Sequence, residues 1–319
     1  MQGLPSLGTQ AAILGFGEGA GMAFGKKDND QQQPQQQMAP PPAAGPAPQE
    51  SVGGGIPPAA MERVRRLAAL EQQDKSAFTS DLSVSEFLLV HKLGFDAVGY
   101  VMGTSIYHIG FQAQRWGQSM ELEVLSSAMY HARSLAVERM RSEAHALGAD
   151  GIVGVKLQIQ RYAWQEGELE FIAQGTAIRA RQPNPSYKLQ DGGPFTSDLS
   201  GQDFYTLVRA GHFPRAFVFG ACVYHVAHQG IRQSMKMVGR NMEMPQFTEA
   251  AYTARELAMT RMENEANRFG ADGIVGVRTE VSAHIWGEHA SEFLALGTGV
   301  ISSPESGMPE PNLTLSLDN

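Results

Sequence analysis

The chain has 319 residues, a net charge of −8 and a sequence pI of about 5.6. That field repels phosphate backbones, and the basic residues are scattered, the densest group being Arg63-Val64-Arg65-Arg66, so a nucleic-acid role is excluded for want of a basic stripe. A single cysteine, Cys222, excludes a disulfide framework or a thiolate cage within one chain and fits a reducing cytoplasm.

Residues 1–57 are expected to form a disordered low-complexity arm. A glycine/alanine patch leads into Gln31-Gln32-Gln33-Pro34-Gln35-Gln36-Gln37, then a Pro/Ala run and Gly53 to Gly55, too little apolar surface to offset ordering entropy. The beginning of the arm has no basic start followed by an apolar run, so no secretory signal is expected. Residues 11–25 are short for a membrane span, glycine-dense and interrupted by Glu18; they read as a flexible or docking segment whose protein partner the residues do not name. Residues 58–77 hold one short amphipathic helix, with Val64, Leu67 and Leu70 on one side.

The remainder is written twice. Gly148-Ala149-Asp150-Gly151-Ile152-Val153-Gly154-Val155 recurs unchanged as Gly270-Ala271-Asp272-Gly273-Ile274-Val275-Gly276-Val277, and Phe78-Thr79-Ser80-Asp81-Leu82-Ser83 recurs as Phe195-Thr196-Ser197-Asp198-Leu199-Ser200. At an offset of 117, residues 78–112 match 195–229 at 13 of 35 positions; at an offset of 122, residues 130–178 match 252–300 at 24 of 49. The repeats therefore differ by a five-residue insertion in repeat two. The expected domains are 78–182 and 195–303, joined by a linker at 183–194 and followed by a loose tail at 304–319.

In repeat one, Ser83 and Glu86 have capping-box spacing before Phe87-Leu88-Leu89-Val90, and Gly94 closes that short helix. A strand over 97–110, apolar on both parities, predicts burial on both faces. Leu122, Leu125, Met129, Ala132, Ala136, Met140 and Leu147 make the stripe of a long helix that Gly148 ends. Val153, Val155, Leu157 and Ile159 alternate with polar or small residues as a half-buried strand, and a last strand runs over 168–180. Repeat two follows the same order: a helix over 202–210, a strand over 216–228, a helix over 248–269, and strands over 273–286 and 290–302. The fold class is α+β, each repeat a short leading helix followed by β-α-β-β. One helix covers one face of a three-stranded sheet, so the other face needs a partner; a homo-oligomer, or face-to-face packing of the two repeats, is expected.

This order resembles the YbjQ family (UPF0145): a helix ending in Gly-Ala-Asp-Gly-Ile-Val-Gly-Val, and a final strand ending Ala173-Gln174-Gly175-Thr176-Ala177 or Ala295-Leu296-Gly297-Thr298-Gly299. The resemblance covers roughly 97–181 and 215–302. It implies a dodecin-like subunit with an antiparallel sheet of order 1-3-2 and the helix on one face, ring-shaped homo-oligomers, and heavy-metal binding.

The glycine-rich motif is not a phosphate loop, because it follows a helix C-terminus rather than preceding an N-terminus, and it lacks the lysine. For a soft or transition metal ion the candidate ligands are Cys222, His225 and His228, with Met235, Met237, Met242 and Met244 of the insertion segment. On a strand, Cys222 and His228 point to one face and His225 to the other, so convergence requires a bulge. The methionines read equally as a flexible apolar contact surface. Repeat one has Ser105 and Phe111 in place of Cys222 and His228. His108 and His225 follow matching tyrosines and read either as buried, hydrogen-bonded histidines or as a ring at an oligomer axis. Lys156/Arg278 and Glu170/Glu292 are placed for cross-strand ion pairs. Arg133/Arg255, Arg139/Arg261 and Glu143/Glu265 have the spacing of a solvated helix face. No nucleophile elbow, HExxH or dinucleotide fingerprint is present, so no enzyme activity is expected. Two functions stay open: metal binding, or a cage-like scaffold with the arm as a tether.

Overall fold

The computed structural model describes residues 55–71, 73, 77–108, 119–161, 168–184, 187–226, 243–283 and 290–302. The expectations for the arm before residue 55 and for the tail after 302 lie outside these residues. The elements in order are α1 (Pro58–Glu71), α2 (Val84–Lys92), β1 (Phe95–His108), β2 (Met120–Glu121), α3 (Glu123–Ala146), β3 (Gly151–Arg161), β4 (Glu168–Ala180), β5 (Phe195–Thr196), α4 (Gly201–Arg209), β6 (His212–His225), α5 (Pro245–Arg268), β7 (Gly273–Ala283) and β8 (Ala290–Ser302).

Local chemistry places these elements as the residue pattern implies. Ser83 caps α2 in a full capping box, its hydroxyl accepting from Glu86 N and Glu86 accepting from Ser83 N. The long helices α3 and α5 are each 24 residues and end at Gly148 and Gly270, whose φ values of 71° and 67° suit glycine alone at low cost. The third glycine of the repeated motif has a different task. Gly154 and Gly276, both at φ 65°, sit in the register shift of β3 against β4 and of β7 against β8.

Each repeat forms an antiparallel three-stranded core in the order first, third, second: β1-β4-β3 and β6-β8-β7. The sheets are nevertheless four-stranded, because each takes a two-residue strand from the other repeat. β5, at the start of repeat two, pairs parallel with β3 at Gly151 and Ile152. β2, from repeat one, pairs antiparallel with β6 at His225 and Tyr224. Covering an open sheet edge in this way satisfies backbone groups that would otherwise need water.

The helix-bearing face of each sheet is packed without a gap because glycine stands under the helix. A Cβ on Gly103 would lie 2.0 Å from the Ala136 carbonyl oxygen, and one on Gly220 would lie 2.1 Å from that of Ala258. Small residues on the facing stripe, Ala254 and Ala258, complete the close approach in repeat two. Gly220→Ala therefore forces strand and helix backbones apart. We expect it to lower unfolding free energy by about 3 kcal/mol or more, at the upper end of overpacking costs, as read from urea denaturation.

Candidate functional site

The most constructed region of the molecule is the seam between the two repeats. On β6 the side chains of Val218 and Cys222 face α5, with Gly220 between them directly under the helix, while Phe217, Phe219, Ala221 and Val223 face the other way and share a core with α3. Repeat two thus stacks its helix-free face on the helix-bearing side of repeat one. The expected face-to-face packing is corrected: both helix-free faces cannot meet, because α3 lies between the two sheets.

Three polar devices lock the seam. First, the start of α3 zips onto the outer edge of β6: Leu122 N donates to Val223 O at 2.8 Å, and Val223 N donates to Ser126 Oγ at 2.9 Å. Second, Arg261 of α5 forks onto Glu121 at 2.6 and 3.0 Å while also holding the Ala221 carbonyl at 2.6 Å. Burial works against ionisation of Glu121, but the bonds from Arg261 prevail and hold its carboxyl below the usual range. Third, Arg133 of α3 and Glu292 of β8, both buried, form an ion pair at 2.7 Å, with the guanidinium 5.4 Å above the Phe171 ring. The pair lies in the wall of a cleft of about 450 Å³ between β3 and the β7–β8 pair.

Glu265 is the buried carboxyl of the seam. It accepts from Phe219 N at 2.6 Å and from the Tyr130 hydroxyl of repeat one at 3.1 Å. Burial outweighs these bonds and pushes its pKa up to about 7. At the far side, β5 lays the Phe195 ring on Gly151, where an added Cβ would meet the ring at 2.1 Å. Val155 N then donates to Ser197 O at 2.9 Å, so the leading segment of repeat two seals the β3 edge.

Several sequence expectations are overturned here. Arg133, Glu143 and Glu265 belong to no solvated face; all three are buried. Their spacing is that of a second helix stripe, which composition cannot tell from a wet one when it carries charges. Lys156 and Arg278 do not pair across strands with Glu170 and Glu292. They bind Asp81 and Asp198 of the leading segments, and Glu292 is taken by Arg133.

Among the described residues the candidate metal ligands are not brought together. Cys222 is buried toward α5, with its thiol pushed up to about 12 by burial, so it stays protonated where a ligand must be a thiolate. His225 is buried, three residues along a strand with no bulge at that point and therefore on the opposite face. His108 is exposed on repeat one, and Met244 precedes α5. His228, Met235, Met237 and Met242 lie outside the described residues. Among the described residues no three His, Cys, Asp or Glu side chains converge as a ligand set, and those present do not fit a metal ion. The same residues include no helix long and apolar enough to cross a membrane.

Fold and seam together define an α+β protein of two tandem domains that exchange edge strands. The sequence model of the YbjQ family, described as "Putative heavy-metal-binding", matches residues 97–181 and 216–303. The chain belongs to that family. It is 47% identical over 264 residues to the encapsulin nanocompartment protein Rv1762c of Mycobacterium tuberculosis, covering 83% of this chain and 98% of that protein. It is also 47% identical over 58 residues to a UPF0145 protein of Methanococcus maripaludis, covering 18% of this chain and 50% of the relative. A UPF0145 protein of Thermus thermophilus matches at 42% over 62 residues, covering 19% of this chain and 53% of its own length.

Two outcomes follow from the seam. Arg133→Ala leaves Glu292 buried without its partner and is expected to cost about 3–5 kcal/mol in urea unfolding, whereas the double variant R133M/E292L recovers most of that loss. For Glu265, the folded chain holds the proton more tightly than the unfolded chain, whose ordinary value is 4.5. Its contribution is therefore complete below 4.5 and is lost as pH rises through about 7. Between about pH 5 and about pH 8, Tm of the native chain should fall relative to that of Glu265→Gln, whose amide oxygen can accept from Phe219 N while its NH2 donates to the Tyr130 oxygen, and which does not titrate.

Proposed function

We propose that this chain is a non-enzymatic cytoplasmic scaffold whose function is its own assembly, built from two dodecin-like units with the N-terminal arm as a docking tether. One observation carries the reading: the surface that is buried within the chain at repeat two stands open at repeat one. β6 buries Phe219 and Val223, whereas β1 presents Met102 and Ile106 to solvent at the same two places. Exposed apolar side chains on a sheet face whose duplicate is a packed interface mark an association surface. The name of the Mycobacterium tuberculosis relative, a nanocompartment protein, supports the same direction. Metal binding is the weaker reading, since the only thiol is buried and protonated and the candidate histidine beside it faces the other way.

Native mass spectrometry and light scattering of the full-length protein are expected to find a defined homo-oligomer that persists after chelation and carries no stoichiometric metal. A monomer throughout the micromolar range would overturn the scaffold reading. An oligomer that dissociates on chelation would return the function to metal binding.

A further inference from the structure

The seam inside the chain has two sides, and each side has a duplicate at an end of the molecule. The head is the helix-free face and β1 edge of repeat one, together with Phe78. The tail is the outer flank of α5 and the β7 edge of repeat two. At the tail, Gly273 has no atom closer than 4.0 Å to an added Cβ, although its duplicate Gly151 lies beneath the Phe195 ring. The ring that would fit it is at the head: Phe78, the duplicate of Phe195, is 49% exposed where Phe195 is 0%. Beside that glycine, Val277 is 44% exposed and its duplicate Val155, sealed by the leading segment of repeat two, is 1%.

The polar groups match in the same sense. Tyr130 reaches Glu265 across the seam; its duplicate Tyr252 is exposed at the tail, and the duplicate carboxyl Glu143 is buried at the head. Arg261 forks onto Glu121; its duplicate Arg139, among the described residues, donates to the Thr104 carbonyl at 2.6 Å and to no carboxylate, and Glu243, the duplicate of Glu121, is exposed at the tail. Glu143 has meanwhile taken a substitute. It accepts from Met102 N at 2.8 Å, as Glu265 accepts from Phe219 N, but its other oxygen receives Arg63 of α1, with Val64 buried beside it. Helix α1 thus meets Glu143 at repeat one where Tyr130 of α3 meets Glu265 at repeat two, and it leaves Met102 and Ile106 of the β1 face exposed.

We propose that a second copy of this chain docks head to tail, repeating the internal seam between chains, and that α1 has to leave its place on α3 before the tail of the neighbour can enter. This rests on the self-assembly reading and adds its polarity and its gate. The contact is heterologous, so it generates a ring or an open array rather than a twofold dimer. While α1 is docked, only the fraction of chains with an open head associates, which weakens apparent affinity by that fraction.

Two full-length variants test the polarity. Ile106→Asp spoils the head, Val281→Asp, on the exposed part of β7, spoils the tail, and circular dichroism verifies that both fold. Each alone is expected to lose the extended assembly, and the two mixed are expected to form a 1:1 heterodimer in light scattering through the intact head and tail. If the native chain assembles but either variant alone still forms dimers to the same extent as the mixture, or the mixture stays monomeric, head-to-tail docking is overturned while the scaffold reading survives. A native chain that is monomeric overturns both. For the gate, Arg63→Ala with Val64→Asp releases α1 and should strengthen association by about tenfold or more. Unchanged or weaker association means that α1 does not compete with the neighbour.

Discussion

The architecture depends on β6 having no polar face. A strand with Phe217, Phe219, Ala221 and Val223 on one side and Val218 and Cys222 on the other is stable only between two layers, because each apolar side chain left in water forfeits roughly 1.5–3 kcal/mol. Helix α5 supplies one layer. The other can come only from outside the repeat, and repeat one supplies it with the flank of α3. The exchanged strands follow from the same constraint: once the repeats are stacked, the β3 edge and the β6 edge lie within reach of backbone from the other repeat.

The charged groups within this seam add specificity more than they add stability. A buried Arg–Glu pair gains little net energy over an apolar pair of the same volume, but separating its members strands two charges without water. Arg133 and Glu292 therefore penalise any sliding of one sheet over the other. Arg261 on Glu121 penalises fraying at the β2 end, and Glu265 ties the helix of one repeat to the tyrosine of the other. Together they pin a surface that apolar packing alone would leave free to shift.

The repeats are close in sequence and unlike in environment. His225 is buried and His108 exposed; Glu265 meets a tyrosine where Glu143 meets an arginine. Nothing local explains these differences, since strand, helix and turn are the same in both. They arise because one repeat has a neighbour on its helix-free face and the other has solvent and α1.

How much of this was legible from residues alone divides along the same line. The duplication, the β-α-β-β order, the capping box at Ser83 and the helix stops at Gly148 and Gly270 are local properties, set by periods of 3.6 and 2 and by the conformational reach of glycine, and each could be read without coordinates. The double-sided apolar pattern of the first strand also signalled a missing layer. What the pattern could not say was which surface supplies it. Arg133 and Glu143 look like solvated helix residues because a charged side chain has the same spacing whether it faces water or a buried partner. Its environment is decided by Glu292, Met102 and Arg63, residues far away in the chain. The sequence by itself determined two copies of one unit; only their stacking decided which duplicated residues are buried, because burial belongs to the contact between units and not to the unit.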